Sequence, residues 1–173
     1  MAFAGLGTTA AVGATRTAAH RTTAHRKAVA FYSHEVRKLR AETWYWQRVM
    51  GVRRSHVHSR SLSSVSLARL RHLVAVWNRL EKRAHRHARH PPNFGAWMCI
   101  HHYEGAWNDR GGPYYGGLQM SISFQRDYAG WLLRRKGTAD HWTPLEQIWA
   151  AVRAARSRGF YPWPNTARYC GLI

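Results

Sequence analysis

A single glutamate in an aromatic setting is the residue with the clearest chemical potential. Glu104 ends the run Trp-Met-Cys-Ile-His-His-Tyr-Glu, and Gly105 follows it at once. The end of a predicted helix and the neighbouring Tyr103 and Trp107 both disfavour a carboxylate, because the helix dipole is negative there and apolar surroundings solvate an anion poorly. A carboxyl group that stays protonated at neutral pH is what a general acid requires. Glu104 is therefore the candidate proton donor.

The other acids of the C-terminal half have local explanations. Glu146 occupies the third position of a predicted helix, where it completes a capping box with Thr143. Asp127 lies on the predicted solvated face of a helix, and Asp140 and Asp109 lie in predicted turns. Ordinary glycosidases use two carboxylates, and the sequence offers no convincing second one. Assistance from Asp109 remains the alternative.

Three tryptophans are candidates for stacking on sugar rings. They are Trp107, Trp142 and Trp163, from a chain with 9 tryptophans in 173 residues. For each of them, packing in the core is the competing interpretation.

The histidines do not indicate a metal site. His101 and His102 are adjacent to the candidate acid, but no set of Cys, His and acidic residues has zinc spacing. A phosphate-binding glycine loop and a nucleophile elbow are also missing from the sequence. We expect no metal and no cofactor.

Mainly helical elements must position these residues. Apolar periodicity and stop signals predict helices over 27–50, 63–89, 94–104 and 124–136, and from Thr143 to Gly159. Ser123 is the expected cap of the fourth helix. Residues 105–119 are expected to form a loop and a short strand, and residues 160–165 an aromatic, proline-rich loop. The predicted fold class is mainly α with a short β segment.

The basic charge is concentrated in the N-terminal half. The net charge is +19, and residues 1–94 carry 18 Lys and Arg against 3 Asp and Glu. Such a field favours polyanions, namely nucleic acid, anionic lipid or an anionic cell wall. The predicted organisation is a disordered basic tail over 1–26, a basic helical hairpin over 27–92, and a small domain over 93–173.

The sequence predicts no membrane insertion. No segment approaches the ~20 apolar residues of a transmembrane helix. The N-terminus lacks the basic and leucine-rich regions of a secretory signal, so no export signal is evident.

Several unusual pieces occur in a familiar order. These are Cys99, Glu104-Gly105, Trp107-Asn108, the run Tyr114-Tyr115-Gly116-Gly117-Leu118-Gln119, Glu146-Gln147-Ile148, Trp163-Pro164 and Cys170-Gly171-Leu172. On these motifs, residues 95–173 resemble the transglycosylase-like domain of actinobacterial resuscitation-promoting factors, which has a small lysozyme-like fold. The resemblance covers under half of the chain. In many members the glutamate directly follows the first cysteine, whereas here four residues intervene.

The resemblance implies an activity outside the membrane. It implies cleavage of the β-1,4 bond between N-acetylmuramic acid and N-acetylglucosamine in peptidoglycan, with Glu104 as the catalytic acid. Tyr115 and Gln119 match family residues that line the sugar cleft, and the adjacent Tyr114 is a further candidate for binding the substrate. A secreted or wall-associated location follows, with the basic half of the chain held by anionic wall polymers.

The resemblance also favours a Cys99–Cys170 disulfide. The alternative is two free, buried thiols in a cytosolic protein.

A single glutamate favours lytic transglycosylation, and hydrolysis becomes possible if Asp109 enters the cleft. Two other classes remain open. One is a nucleic-acid or anionic-surface binding protein whose lysozyme-like part is inactive, and the other is a non-catalytic glycan-binding module.

Overall fold

The structure, a computed structural model, describes residues 9–57, 62 and 65–173, with the backbone alone for residues 9–21. Over these residues the chain is mainly α-helical with one two-stranded antiparallel sheet, which confirms the predicted fold class. The elements are α1 Thr9–Met50, α2 Leu67–Ala88, α3 Phe94–Glu104, β1 Tyr114–Tyr115, β2 Met120–Ser121, α4 Ile122–Lys136, α5 Pro144–Arg158 and α6 Pro164–Tyr169.

Two compact units make up the chain. The first comprises Met1–Thr43 and Ser55–Glu81, and the second comprises Trp44–Arg54 and Lys82–Ile173. This division differs from the expected hairpin domain over 27–92, because the C-terminal end of α1 and the last turns of α2 belong to the second unit. The physical reason is apolar burial: Val49, Met50, Ala84 and Ala88 are buried in the core of the second unit.

The first helix starts earlier than predicted. Its backbone is helical from Thr9, whereas the sequence predicts a disordered tail over 1–26. Residues 9–26 are rich in Ala and Arg, which have high helix propensity, and they continue directly into the apolar periodicity of residues 27–50. Residues 1–8 lie outside the described residues.

The first unit contains an apolar seam formed by residues of α1 and α2. Val36 of α1 and Leu70, Leu73 and Trp77 of α2 are all buried. The Arg71 guanidinium lies 5.4 Å from the centre of the Tyr32 ring, which places α2 against α1 within this unit. The predicted start of α2 near Ser63 falls outside the described residues.

The core of the second unit is rich in aromatic rings. Trp97 of α3 lies 5.4 Å from Trp163 and 4.9 Å from Phe160, and Trp163 lies 5.4 Å from Phe124 of α4. The indole nitrogens also find partners, since Trp163 Nε1 donates to Leu118 O at 2.7 Å and Trp97 Nε1 to Pro92 O at 2.9 Å. Aromatic packing and satisfied donors together fix the distance between α3, α4 and the chain before α6.

A half-buried arginine joins the end of α1 to α5. Arg153 donates from Nε to Tyr128 O and from Nη1 to Val49 O, so it satisfies a carbonyl in the last turn of α1. The Tyr128 carbonyl is available because α4 is kinked at Ala129, whose φ of −149° and ψ of 30° are not helical. Burial, with help from Arg156, lowers the pKa of Arg153 to about 10, so the guanidinium remains charged at neutral pH.

The expected capping box at the start of α5 is confirmed. The Thr143 hydroxyl accepts from Glu146 N–H and the Glu146 carboxylate accepts from Thr143 N–H. Glu146 is 1% exposed and also accepts from Lys136 Nζ at 2.6 Å. Burial raises the pKa of Glu146 and lowers that of Lys136, and the short contact between them opposes both effects.

The prediction that Ser123 caps α4 is wrong. Ser121, not Ser123, is the N-cap residue, and its hydroxyl accepts from Phe124 N–H at 3.2 Å. Ser123 lies two residues further along and its Oγ is 2.9 Å from Ser121 Oγ. The helix ends at Gly137 as predicted, where φ is +82°.

The C-terminal segment contains a helix that the sequence interpretation missed. The sequence predicts an aromatic, proline-rich loop over 160–165, whereas α6 begins at Pro164. Proline suits the first position of a helix because that position needs no N–H donor. Cys170 follows α6 and forms the disulfide with Cys99 of α3, which confirms the pairing that the resemblance implies.

Candidate functional site

The Glu104 carboxyl group accepts a hydrogen bond from a hydroxyl group near the C-terminus of the chain. Glu104 is the last residue of α3, and its Oε1 accepts a hydrogen bond from Thr166 Oγ1 of α6. The side chain is half-buried. The Cys99–Cys170 disulfide joins the same two helices, so it supports the distance at which Thr166 reaches Glu104.

A groove runs past Glu104 along the surface of the second unit. Its first compartment has a volume of about 240 Å³ and is lined by Glu104, Tyr114, Gln119, Pro162, Trp163, Pro164, Asn165 and Thr166. Its second compartment, of about 270 Å³, shares four of these residues and adds Met120, Ser121, Ser123, Phe124, Asp127 and Arg158. The four shared residues show that the two compartments are adjacent, and Glu104 lines only the first. Aromatic, amide and hydroxyl groups of this kind suit a carbohydrate better than an apolar ligand.

The β1–β2 hairpin forms one wall of the groove. Tyr114 pairs with Ser121 and Tyr115 with Met120, so the turn contains Gly116 to Gln119. Gln119 has a φ of +45°, which is uncommon for a residue with a side chain. Its Nε2 donates to Gly116 O at 3.0 Å and to Asp109 Oδ2 at 2.8 Å. These bonds hold a strained residue in the wall of the groove, as is frequent at binding sites.

The two glycines of the turn allow close packing beneath it. A Cβ at Gly116 would lie 2.5 Å from Gln147 Oε1, and a Cβ at Gly117 would lie 2.6 Å from His101 Nδ1 and 2.8 Å from Trp107 Cε3. Only glycine leaves room for these neighbours. The motif therefore has a steric reason that is independent of any resemblance.

A buried glutamine joins the turn to α5. Gln147 Oε1 accepts from Gly117 N–H at 2.9 Å, and its Nε2 donates to Trp107 O at 2.8 Å and Ala139 O at 2.9 Å. The side chain is completely buried. Because its amide serves as both donor and acceptor, no apolar residue of the same size could replace it without leaving polar groups unpaired.

Asp109 lies next to the site and has a structural role. Its Oδ1 accepts from Gly111 N–H at 2.9 Å and its Oδ2 accepts from Gln119 Nε2. It does not line either compartment of the groove. The turn role expected from the sequence is present, and in addition the carboxylate orients Gln119. Both oxygens already have partners, which weakens the alternative in which Asp109 acts on the substrate.

The three candidate tryptophans occupy different positions. Trp163 lines both compartments, although it is only 4% exposed. Trp142 is 3% exposed and donates from Nε1 to Gly137 O at 2.9 Å, so it is a core residue and its prediction as a stacking surface is wrong. Trp107 is half-buried and stacks on His101 at 3.8 Å, and it does not line the groove.

The two adjacent tyrosines face in opposite directions. Tyr114 is 51% exposed and lines both compartments, whereas Tyr115 is half-buried and packs against the core. The alternation of side chains along a strand explains the difference. Tyr114 and Gln119 are thus placed in the groove, and Tyr115 is not.

Most of the other residues that line the groove were not predicted as site residues, and Thr166, Asp127 and Arg158 are the three that matter below. Thr166 escaped notice because its helix was not predicted. Asp127 was interpreted as a solvated acid, and Arg158 was not singled out. Helical spacing could have indicated Asp127, because it lies three residues after Phe124 and therefore on the same side of α4.

Within the described part of the chain, no group of three His, Cys, Asp or Glu residues is placed to hold a metal ion. None of the helices described is long and apolar enough to cross a lipid bilayer.

Comparison with protein-family models, with curated proteins and with solved structures finds no match for this chain.

Proposed function

We propose that the chain cleaves the β-1,4 bond between N-acetylmuramic acid and N-acetylglucosamine in peptidoglycan, as a lytic transglycosylase. The observation that carries the proposal is a half-buried glutamate that opens onto a groove with tyrosine, glutamine and tryptophan in its walls. The resemblance of residues 95–173 to the transglycosylase-like domain supports the same activity. The location of the protein at the cell wall and the catalytic role of Glu104 are parts of this proposal.

The chemistry needs one carboxyl group in two successive roles. Protonated Glu104 donates its proton to the glycosidic oxygen as the bond from that oxygen to C1 of the muramoyl sugar breaks. The C6 hydroxyl of the same sugar then forms a bond to C1, and its proton passes to the Glu104 carboxylate. Glu104 ends protonated, as it began, and the product carries a 1,6-anhydro ring.

Thr166 and Gln119 have supporting roles in this scheme. The Thr166 hydroxyl donates to Oε1 and so orients the carboxyl group toward the groove. Gln119, whose Nε2 is held by Asp109 and Gly116, lines the same compartment and would contact the sugar there. Asp127, the other carboxylate of the groove, lines only the second compartment. The compartment that contains Glu104 therefore lacks the facing pair of acids that hydrolysis by ordinary glycosidases requires.

The decisive experiment is Glu104→Gln on purified peptidoglycan. We expect cleavage to fall by at least about a hundredfold, since general acid catalysis contributes roughly 10²–10⁴. Binding to sedimented walls should be unchanged. Mass spectrometry of the products should show muropeptides lighter by one water than hydrolysed ones. Asp109→Asn serves as the control, because it should not convert the product type.

The outcomes separate the competing functions. Unchanged cleavage by Glu104→Gln would exclude Glu104 as the acid. Wall binding without any cleavage by the unmodified chain would indicate a glycan-binding module. Hydrolysed products that disappear in Asp109→Asn would indicate a hydrolase.

One observation favours a second candidate, binding to a polyanion. Exposed cations occupy the end of α2 and the residue after it, in the second unit: Lys82, Arg83, Arg86 and Arg89. Under the main proposal they would hold the enzyme to anionic wall polymers. Under the alternative they would bind nucleic acid. DNA binding by the full chain that falls steeply between about 50 and 200 mM salt, together with no cleavage of peptidoglycan, would favour the alternative.

A further inference from the structure

Two opposite charges lie in the second compartment of the groove. Asp127 of α4 and Arg158 of α5 both line it, and both are exposed. Neither side chain makes an ion pair or a hydrogen bond with any other residue that the structure describes. Their charges therefore remain available to a ligand in the groove.

The two residues are carried by the framework of the domain. Asp127 lies one turn after Phe124, whose ring packs on Trp163 in the core. Arg158 is the last residue of α5, where the helix dipole favours a cation, and Gly159 ends the helix directly after it. Helices α4 and α5 pack against each other. The packed helices therefore fix the backbone positions of both residues.

In intact peptidoglycan the glycan backbone gives these charges nothing to bind. N-acetylglucosamine is neutral, and the lactyl carboxyl group of N-acetylmuramic acid is amide-bonded to the peptide stem. The first compartment already offers aromatic, amide and hydroxyl groups for these neutral sugars. A guanidinium prefers a carboxylate, which it can bind through two parallel hydrogen bonds. A carboxylate such as Asp127 accepts from amide N–H groups or from an ammonium group. Together they suit a peptide that carries both kinds of group.

We infer that the second compartment binds the peptide stem attached to a muramoyl residue, with a stem carboxylate on Arg158 and a stem amide or ammonium group on Asp127. The inference rests on the proposed function and names the form of its substrate. The chain would then prefer glycan strands that still carry their peptides over strands whose muramoyl residues carry neither a peptide nor a free lactyl carboxylate.

The test compares two substrates with the full chain and its variants. Glycan strands are used either with their stems or after an amidase has removed the stems and the exposed lactyl carboxylates have been converted to neutral methylamides. Initial rates are measured below saturation. We expect Arg158→Gln to lower the rate on stem-bearing strands by about tenfold, the effect of losing one hydrogen-bonded charge pair. The rate on stripped strands should be nearly unchanged. Arg158→Lys should recover part of the loss, and Asp127→Asn should again affect only stem-bearing strands.

Arg126→Gln is the matched control. It removes the same charge from the exposed surface of α4, but Arg126 does not line the groove. Its rate on both substrates should equal that of the unmodified chain. If Arg126→Gln and Arg158→Gln behave alike, the effect comes from net charge and the inference is wrong.

Failure of the inference differs from failure of the proposed function. Equal losses on both substrates, or no preference in the unmodified chain, would overturn the inference and leave the cleavage activity standing. If the unmodified chain cleaves neither substrate, the proposed function is wrong. Calorimetric binding of a soluble disaccharide that carries either its peptide or a neutral lactyl methylamide then decides the inference. Tighter binding of the peptide-bearing form that Arg158→Gln abolishes supports it, and equal binding contradicts it.

Discussion

At the scale of single residues, the contact between Glu104 and Thr166 connects structure to chemistry most directly. The hydroxyl group is the only hydrogen-bond donor to the Glu104 carboxyl group among the residues that the structure describes. Thr166 itself is 7% exposed, so its rotamer is restricted by its surroundings. In the proposed mechanism Glu104 first donates and then recovers a proton, and a fixed orientation favours both steps.

Thr166→Val removes this donor and keeps the shape of the side chain. We expect kcat on stem-bearing strands to fall by roughly fivefold, which corresponds to about 1 kcal/mol for one hydrogen bond. The melting temperature should change little. Thr166→Ser, which keeps the hydroxyl group, should retain most of the activity. A large loss of melting temperature without a loss of kcat would show that Thr166 supports the fold and does not orient Glu104.

At the scale of elements, the hairpin depends on how closely its turn approaches the helices beneath it. The Gly117 backbone contacts the stacked rings of His101 and Trp107, and Gln147 of α5 holds its N–H. This arrangement places Tyr114 and Gln119 in the wall of the groove. The sheet is only two residues long on each strand, so its own hydrogen bonds contribute little to its position.

Gly117→Ala tests this packing. The new Cβ would lie under 3 Å from His101 and Trp107, so we expect a loss of about 1–3 kcal/mol in the free energy of unfolding and a reduced cleavage rate. Gly95→Ala is the matched control, because nothing lies within 4 Å of a Cβ at that position in α3. Alanine there should be neutral or slightly stabilising. Urea denaturation measures both, and equal stability of the two variants would contradict the packing argument.

At the scale of the whole molecule, two features matter most: the disulfide bond and the large positive net charge. The disulfide joins Cys99 to Cys170 across a sequence separation of 71 residues, which includes all of the groove. The net charge of +19 would hold the protein near anionic polymers at low salt and less so at high salt, because salt screens exposed charges.

Replacing both cysteines by serine tests the link. In the chain-entropy picture, a closed loop of this length stabilises the fold by about 4 kcal/mol relative to the open chain. We expect the double variant to unfold at a clearly lower urea concentration than the oxidised protein. Reductant should lower the stability of the unmodified chain to a similar value and leave the double variant unchanged. A difference below about 1 kcal/mol would mean that packing alone holds α3 to α6.

The sequence by itself determined the local features of this protein. Helix α5 was predictable because its cap residues, its proline and its terminal glycine act within a few positions of one another. The same holds for the end of α4 at Gly137 and for Glu104 at the end of α3. The disulfide was implied by the resemblance, since two cysteines alone do not show their pairing.

Tertiary structure decided which side chains share a surface. Trp142 and Trp163 look alike in sequence, yet one is enclosed in the core and the other lines the groove. Thr166, Asp127 and Arg158 come from three helices, and only packing brings them to the groove of Glu104. The division of the long α1 and α2 between two units likewise depends on burial against distant residues. Local sequence encodes hydrogen bonding within a turn or a helix, whereas long-range burial depends on every element at once.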